Sequence, residues 1–269
     1  MNRIEKKFQS LAVRKQKAFI AFLTAGDPSL RKTEELAFAF DKAGVDIIEL
    51  GVPFSDPLAD GPTIQAASYR ALQNGTNLPG ILTSVKNIRK WSQMPIALMT
   101  YYNPVFHFGE KQFAAQAKAS GVDGLIIPDL PVEEAGGLIA ACRENDVATV
   151  FFLSPTTTPA RAKKIMAAAT GFIYYVSLAG VTGARAGIPA DLLAKVRQAK
   201  RLTAKPICVG FGISQPDQVR RIATIADGVI VGSAIVNRVA QTTGQNNQIQ
   251  SVRDFVATLL KPLRSPTHD

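Results

Sequence analysis

Two carboxylates, Glu49 and Asp60, stand far apart in the segment ELGVPFSDPLADGPTIQ, residues 49–65, with Asp56 between them and Pro53, Pro57 and Pro62 stiffening the chain. Glu49 directly follows the apolar run VDII. An ionised carboxylate at the edge of a dry core costs on the order of several kcal/mol unless something compensates it. Such a residue is either a strand-end Glu paired with a Lys or Arg, or a group kept for catalysis. The loop is too long and too constrained by proline to be an idle connection, and it can return Asp60 to the neighbourhood of Glu49. Asp56, in mid-loop, is expected at the surface.

A second set of residues fits an anion. The turns GVTGARAG (180–187), GFGIS (210–214) and GSAIV (232–236) are rich in glycine, which lets backbone N–H groups approach a phosphate closely. A helix starting near Ser233 would aim its positive end at the same place. The longer stretch LAGVTGARAGIPADL has the composition of a mobile lid. Phe22, Met99, Ile126, Leu153 and Phe211 fall at the ends of apolar runs, with Tyr174 offering a hydroxyl. Core packing explains any one of them, but together they would line a flat apolar pocket.

The elements that must position these groups are short runs rich in Val, Ile, Phe and Leu, beginning near residues 18, 45, 96, 123, 148, 172, 206 and 227. Near-continuous apolar runs are expected of parallel strands buried on both faces. Stretches of helical periodicity separate them, so strand, loop and helix repeat. Eight such units predict an α/β fold, a single (β/α)8 TIM barrel over residues 1–269, with extended loops after strands two and six. Ile4, Phe8 and Leu11 predict an extra N-terminal helix covering the barrel bottom, and QTTGQNNQIQ (241–250) reads as a surface loop. Catalytic groups belong at the C-terminal ends of the strands, where Glu49 lies.

Composition narrows the alternatives. Lys and Arg exceed Asp and Glu by 31 to 21, but the excess is spread over helix-like segments such as KVRQAKR and QVRRI without interleaved aromatics. That describes a solvated surface and argues against nucleic-acid binding. No apolar window approaches a membrane span, and the basic N-terminus lacks a secretory apolar core, so a cytoplasmic protein is expected. Cys142 and Cys208 sit in apolar runs without partners at ligand spacing, and His107 and His268 lie far apart. Zinc chemistry and a Ser/His triad therefore find no support, and no metal is expected.

The chain resembles the α subunit of tryptophan synthase over nearly its whole length. The resemblance runs through FLTAGDP (22–28), the 49–65 segment, MTYYNP (99–104), IIPDLPVEE (126–134), SLAGVTGAR (177–185), VGFGIS (209–214) and VGSAIV (231–236). It implies retro-aldol cleavage of indole-3-glycerol phosphate to indole and glyceraldehyde 3-phosphate. Glu49 would then serve as alternating acid and base, while an ionised Asp60 would hold the ring N–H. The resemblance places Tyr174 near the substrate, Thr182 on the closing loop, and Gly183, Gly212, Gly232 and Ser233 around the phosphate. Phe22, Met99, Ile126, Leu153 and Phe211 would enclose the indole ring. It further implies a pyridoxal-phosphate-dependent β subunit that receives indole through a tunnel in an α2β2 complex, with no cofactor in this chain. Pro53, Asp56, Pro57, Asn103 and Pro131 would form the partner-facing side. Met99 and the lid sequence depart from some relatives, which bears on affinity and lid kinetics. Three alternatives stay open. One is a free-standing lyase of the same substrate; another is a different phosphosugar barrel enzyme, which leaves ELGVPFSDPLADGP unexplained. The third is a regulatory subunit without chemistry, against which Glu49, Asp60 and Tyr174 argue.

Overall fold

The eight apolar runs become eight parallel strands, hydrogen-bonded in sequence order and closed into a barrel. The computed structural model describes residues 1–176, 190–210 and 212–264. Helix α1 (Arg3–Val13) leads into β1 (Ala18–Thr24) and α2 (Leu30–Ala43); β2 (Ile47–Gly51) is followed by α3 (Pro62–Gln73) and α4 (Leu78–Arg89). Next come β3 (Ile96–Met99), α5 (Tyr102–Phe108), α6 (Glu110–Ser120), β4 (Gly124–Ile126), α7 (Gly136–Glu144) and β5 (Ala148–Leu153). The remaining elements are α8 (Pro159–Ala168), β6 (Ile173–Val176), α9 (Ala190–Lys200), β7 (Ile207–Gly210), α10 (Pro216–Ala223), β8 (Gly228–Val231), α11 (Ser233–Thr242) and α12 (Gln248–Leu260). The expected lid, with Thr182 and Gly183, lies outside the described residues, as do Phe211 and His268.

Alternation along each strand divides the apolar residues into two populations. Phe19, Ala21 and Leu23 of β1, Ile48 and Leu50 of β2, and Phe151 and Leu153 of β5 face outward into the main core beneath the helices. Ala18 and Ile20 of β1, Ile47 of β2, Ala97 of β3, Ile126 of β4, Val150 of β5 and Ile230 of β8 fill the barrel itself. Both faces are dry, which is why the strands read as unbroken apolar runs.

Helix α1 closes the bottom. The side chain of Asn2 accepts the Ile4 N–H while Glu5 accepts the Asn2 N–H, a reciprocal cap that starts the helix. Ile4, Phe8 and Leu11 are its buried face, packed with the residues that fill the barrel. Asn2 also donates to the carbonyls of Asp123 and Asp146, fastening the helix start beneath β4 and β5. The tract at 241–250 is more ordered than its polar composition suggests: α11 runs to Thr242 and α12 begins at Gln248. The buried Gln248 amide donates to the Val239 carbonyl, closing the end of α11.

The bottom rim carries a device repeated around the barrel. Just before β2, β4 and β8, the carboxylates of Asp46, Asp123 and Asp227 accept the backbone N–H of Phe19, Ile96 and Ile207 in the preceding strand, at 2.9, 2.9 and 3.0 Å. Before β6 the Thr170 hydroxyl does the same for Thr149 at 2.9 Å. Each of these residues returns its own N–H to the carbonyl of the residue it holds. The carboxylates are also paired with cations: Asp46 with Arg264 and Lys7, Asp123 with Arg89 and Arg3, Asp227 with Lys200 and Lys17. Asp123→Ala would leave the Arg89 guanidinium, 2.6 Å away and itself mostly buried, with carbonyl acceptors but without its carboxylate, and would remove the acceptor of Ile96. Breaking a buried pair in this way costs about 3–5 kcal/mol. A urea midpoint that falls accordingly is expected, and an unchanged midpoint would deny Asp123 this role.

Candidate active site

Glu49 lies on the inward face of β2, opposite Phe22 of β1 and Ala97 of β3 in the strand register. It is fully buried, and among the described residues neither carboxylate oxygen has a hydrogen-bond partner. Burial, reinforced by the charge of Asp60, pushes its pKa up to about 8. The ion-paired reading of this residue is therefore not what the structure holds. Glu49 is a neutral acid near pH 7, close enough to its pKa to move a proton in either direction.

Asp60 is carried by the loop after β2 and is held at several points. Its N–H donates to the Pro57 carbonyl, its carbonyl accepts from the Gln65 amide at 2.8 Å, and its Oδ2 accepts from the Tyr101 hydroxyl at 3.0 Å. Gly61 and Pro62 then start α3, with proline at a position where its missing N–H costs nothing. Burial raises the Asp60 pKa to about 6, and the Tyr101 bond opposes that rise. Asp60 thus stays mainly ionised at neutral pH while Glu49 stays mainly protonated. Two carboxylates close enough to perturb one another have been given different states, the arrangement of an acid beside an electrostatic stabiliser.

Tyr174 faces inward from β6. Burial, with the charges of Glu49 and Asp60, drives its pKa well above the ordinary phenol value, so it remains a neutral hydroxyl. Two glycines make room for the rings at this level. A Cβ on Gly210 would stand 2.6 Å from the Tyr174 Oη, and one on Gly51 would stand 2.5 Å from the Phe22 Cζ. Phe22 and Met99 pack with Ile64 and Ala67 of α3 and Val236 of α11, and Ile126 lies deeper, within the barrel.

One pocket residue has to be corrected. Leu153 points outward into the core beneath the helices, because alternation along β5 places it on the same face as Phe151. Phe152 takes the inward position, paired with Tyr174 in the strand register and 4.9 Å from its ring centroid. The alternation from Ala148 through Val150 points to Phe152, whereas apolar character alone does not separate it from its neighbours. Tyr101, Phe152, Gly51 and Gly210 are the members that sequence reasoning misses.

At the last strands, Gly212 adopts a positive φ of 39° just after β7, and Gly232 is the cap residue of α11. The Gly232 carbonyl takes the N–H of Ile235 and Val236, so the helix geometry leaves those of Ser233 and Ala234 to face the mouth. Phe22 lies beside this turn, with its Cβ 3.6 Å from the position of a Cβ on Gly232. On the outer side of the mouth, Asp56, Asn103 and Pro131 are exposed and Pro57 is half-buried. Pro53 is buried directly after the strand and so does not itself form surface, a correction to its expected exposure toward a partner. Leu58 of the loop after β2 and Phe106 of α5, 93% and 68% exposed, add apolar area to the same side.

Fold and site together define a (β/α)8-barrel enzyme with an acid at a strand end, an ionised carboxylate on the loop that follows it, and a helix start just after β8. A family model described as tryptophan synthase alpha chain matches residues 8–263, and the chain belongs to that family. The tryptophan synthase alpha chain of Geotalea daltonii is 50% identical over 245 residues, covering 91% of this chain and 93% of its own. A crystal structure of tryptophan synthase subunit alpha from Legionella pneumophila superposes with a TM-score of 0.91 at 36% identity, covering 98% of each chain. A chain of the tryptophan synthase complex from Pyrococcus furiosus gives 0.85 at 41% identity, covering 91% of this chain and 99% of its own.

Proposed function

We propose that this chain is the α subunit of a tryptophan synthase, cleaving indole-3-glycerol phosphate to indole and glyceraldehyde 3-phosphate and passing indole to a β subunit. The observation that carries the mechanism is Glu49, buried with both oxygens unpartnered and facing an ionised Asp60.

The chemistry follows from these states. Protonated Glu49 delivers its proton to C3 of the indole ring, and positive charge spreads to the ring nitrogen. Asp60 accepts the ring N–H and stabilises that charge, an interaction strengthened where water is excluded. The Glu49 carboxylate now takes the proton of the hydroxyl on the carbon attached to C3. The carbon–carbon bond breaks, its electron pair returns to the ring, and an aldehyde leaves. One proton is given and one regained, so Glu49 ends as it began. Tyr174 and Phe152 bound the ring on the β5–β6 side, with Phe22, Met99 and Ile126 opposite, and Phe211 assigned to the same enclosure. Gly212, Gly232 and Ser233, together with Gly183, take the phosphate, and Thr182 belongs to the lid. No group beyond the side chains of this chain enters these steps; pyridoxal phosphate belongs to the β partner.

The same reading makes residues 1–269 one barrel domain of a cytoplasmic α2β2 assembly. No helix among the described residues is long and apolar enough to cross a membrane. Asp56, Pro57, Asn103 and Pro131, with Leu58 and Phe106, make up the face offered to the β subunit.

The test is indole release from indole-3-glycerol phosphate by the purified chain, alone and with a tryptophan synthase β subunit. Low activity that rises severalfold on adding β is expected. High activity indifferent to β would make the chain a free-standing lyase, and absence of cleavage in both conditions would leave a regulatory subunit.

A further inference from the structure

Three successive loops at the barrel mouth meet beneath Asp60. The fourth loop, after β4, places the Asp129 Oδ1 2.9 Å from the N–H of Tyr102, the first residue of α5. Tyr101, the cap residue of that helix, makes no side-chain cap of its own. An aspartate from another loop supplies the acceptor, which leaves the Tyr101 side chain free for a different task. Its hydroxyl accepts the Ala59 N–H at 2.9 Å and donates to the Asp60 Oδ2 at 3.0 Å. Its ring is buried and stacked on Phe54, with centroids 5.1 Å apart and planes at 26°.

This geometry restricts what the hydroxyl can do. A lone pair of Tyr101 is committed to the Ala59 N–H, so the single hydroxyl proton is directed to Asp60. The Asp60 Oδ2 is then held as an acceptor, and Oδ1 is left for the substrate. Phe54, Ala59 and Asp60 belong to one loop, so the tyrosine fixes both the backbone and the carboxylate. We propose that Tyr101 and Asp129 are positioning residues for the cleavage, Asp129 anchoring the start of α5 and Tyr101 thereby holding the ionised Asp60 in its working orientation. This inference rests on the role assigned to Asp60 above.

The groups that face Asp60 are Glu49 from β2, Tyr174 from β6 and Tyr101 from the third loop. Among the described residues, only Tyr101 donates a hydrogen bond to it from a side chain. Removing that donor makes ionisation harder, so the acid side of the pH–rate profile must move upward.

The experiment measures kcat and KM for indole-3-glycerol phosphate between pH 5 and 9 in the complex with the β subunit, for Tyr101→Phe, Asp129→Ala, Asp129→Asn and the double variant. Tyr101→Phe is expected to lower kcat by roughly tenfold with KM changed by less than about threefold, and to raise the acid limb by about one pH unit. Asp129→Ala should move both readouts in the same direction by a smaller amount. Asp129→Asn, whose amide oxygen still accepts the Tyr102 N–H, should recover most of what Asp129→Ala loses. The double variant should match Tyr101→Phe, since both residues act through one contact. An acid limb that stays in place in Tyr101→Phe overturns the proposal, as does full additivity of the two changes. Asp129 is exposed, so its variants keep the test open if Tyr101→Phe folds poorly. Glu49→Gln run in parallel separates the two ideas: its inactivity beside unaffected Tyr101 and Asp129 variants would sink the positioning role alone, whereas its full activity would sink the mechanism.

Discussion

Glu49→Gln abolishes most cleavage, lowering kcat by a factor on the order of 100 or more while phosphate-dependent binding survives. The amide keeps the shape of the side chain and removes the proton that is given to C3 and regained from the hydroxyl. The parent enzyme should show a bell-shaped dependence of kcat/KM on pH, because Asp60 must be ionised and Glu49 protonated. Activity falls as pH drops through about 6, where Asp60 takes up a proton, and as it rises through about 8, where Glu49 loses one. The same substitution reports on folding. Glu49 holds its proton more tightly in the folded barrel than at its ordinary value of 4.5, so its favourable contribution is full below that value and is lost as pH rises toward about 8. Every tenfold gain in proton affinity corresponds to about 1.4 kcal/mol. Glutamine does not ionise, so the variant should outlast the parent in urea at pH 8 by a few kcal/mol more than at pH 4. Near-normal turnover would remove Glu49 from the chemistry, and a stability difference independent of pH would deny its unfavourable ionisation.

Ser233→Asp has the second large effect, and it acts on binding. The new carboxylate would stand where the start of α11 offers its N–H groups, facing a dianionic phosphate. KM for indole-3-glycerol phosphate is expected to rise about 30-fold or more, with inhibition by inorganic phosphate weakened in parallel. A negative charge in the first turn is favourable to the helix itself, by about 0.3–1 kcal/mol. The variant should therefore unfold at the same or slightly higher urea concentration, which separates lost binding from lost structure. An unchanged KM would remove this turn from the phosphate site.

Much of the barrel is legible because strands dry on both faces leave unbroken apolar runs, and the eight runs are the eight strands. Glu49 stands out for the same reason, as a carboxylate where an apolar residue is expected. The limits have the same physical origin. In ATVFFL both faces of β5 are apolar, so the composition that reveals the strand conceals that Phe152 faces inward and Leu153 outward. In TYYN two tyrosines are adjacent, and only the turn into α5 decides that Tyr101 reaches Asp60 while the Tyr102 hydroxyl bonds Glu110. Gly51 and Gly210 resemble ordinary turn glycines until the rings of Phe22 and Tyr174 are seen to occupy the space of their absent side chains. The tract 241–250 is polar, yet Gln248 is buried, its amide satisfied by the Val239 carbonyl and the Thr243 hydroxyl, which composition cannot announce.

The reciprocal bonds of the bottom rim join β1 to β2, β3 to β4, β5 to β6 and β7 to β8, and none of these side-chain anchors crosses from one such pair to the next. Their partners are only 27, 27, 21 and 20 residues apart. Closing so short a stretch of chain sacrifices little entropy compared with joining the first strand to the eighth. The barrel is in this sense an assembly of four two-strand modules, each able to gather itself before the ring is complete. Its seams lie between modules, at the segments leading into β3, β5 and β7, where the polypeptide could be nicked or its ends relocated without severing an anchor.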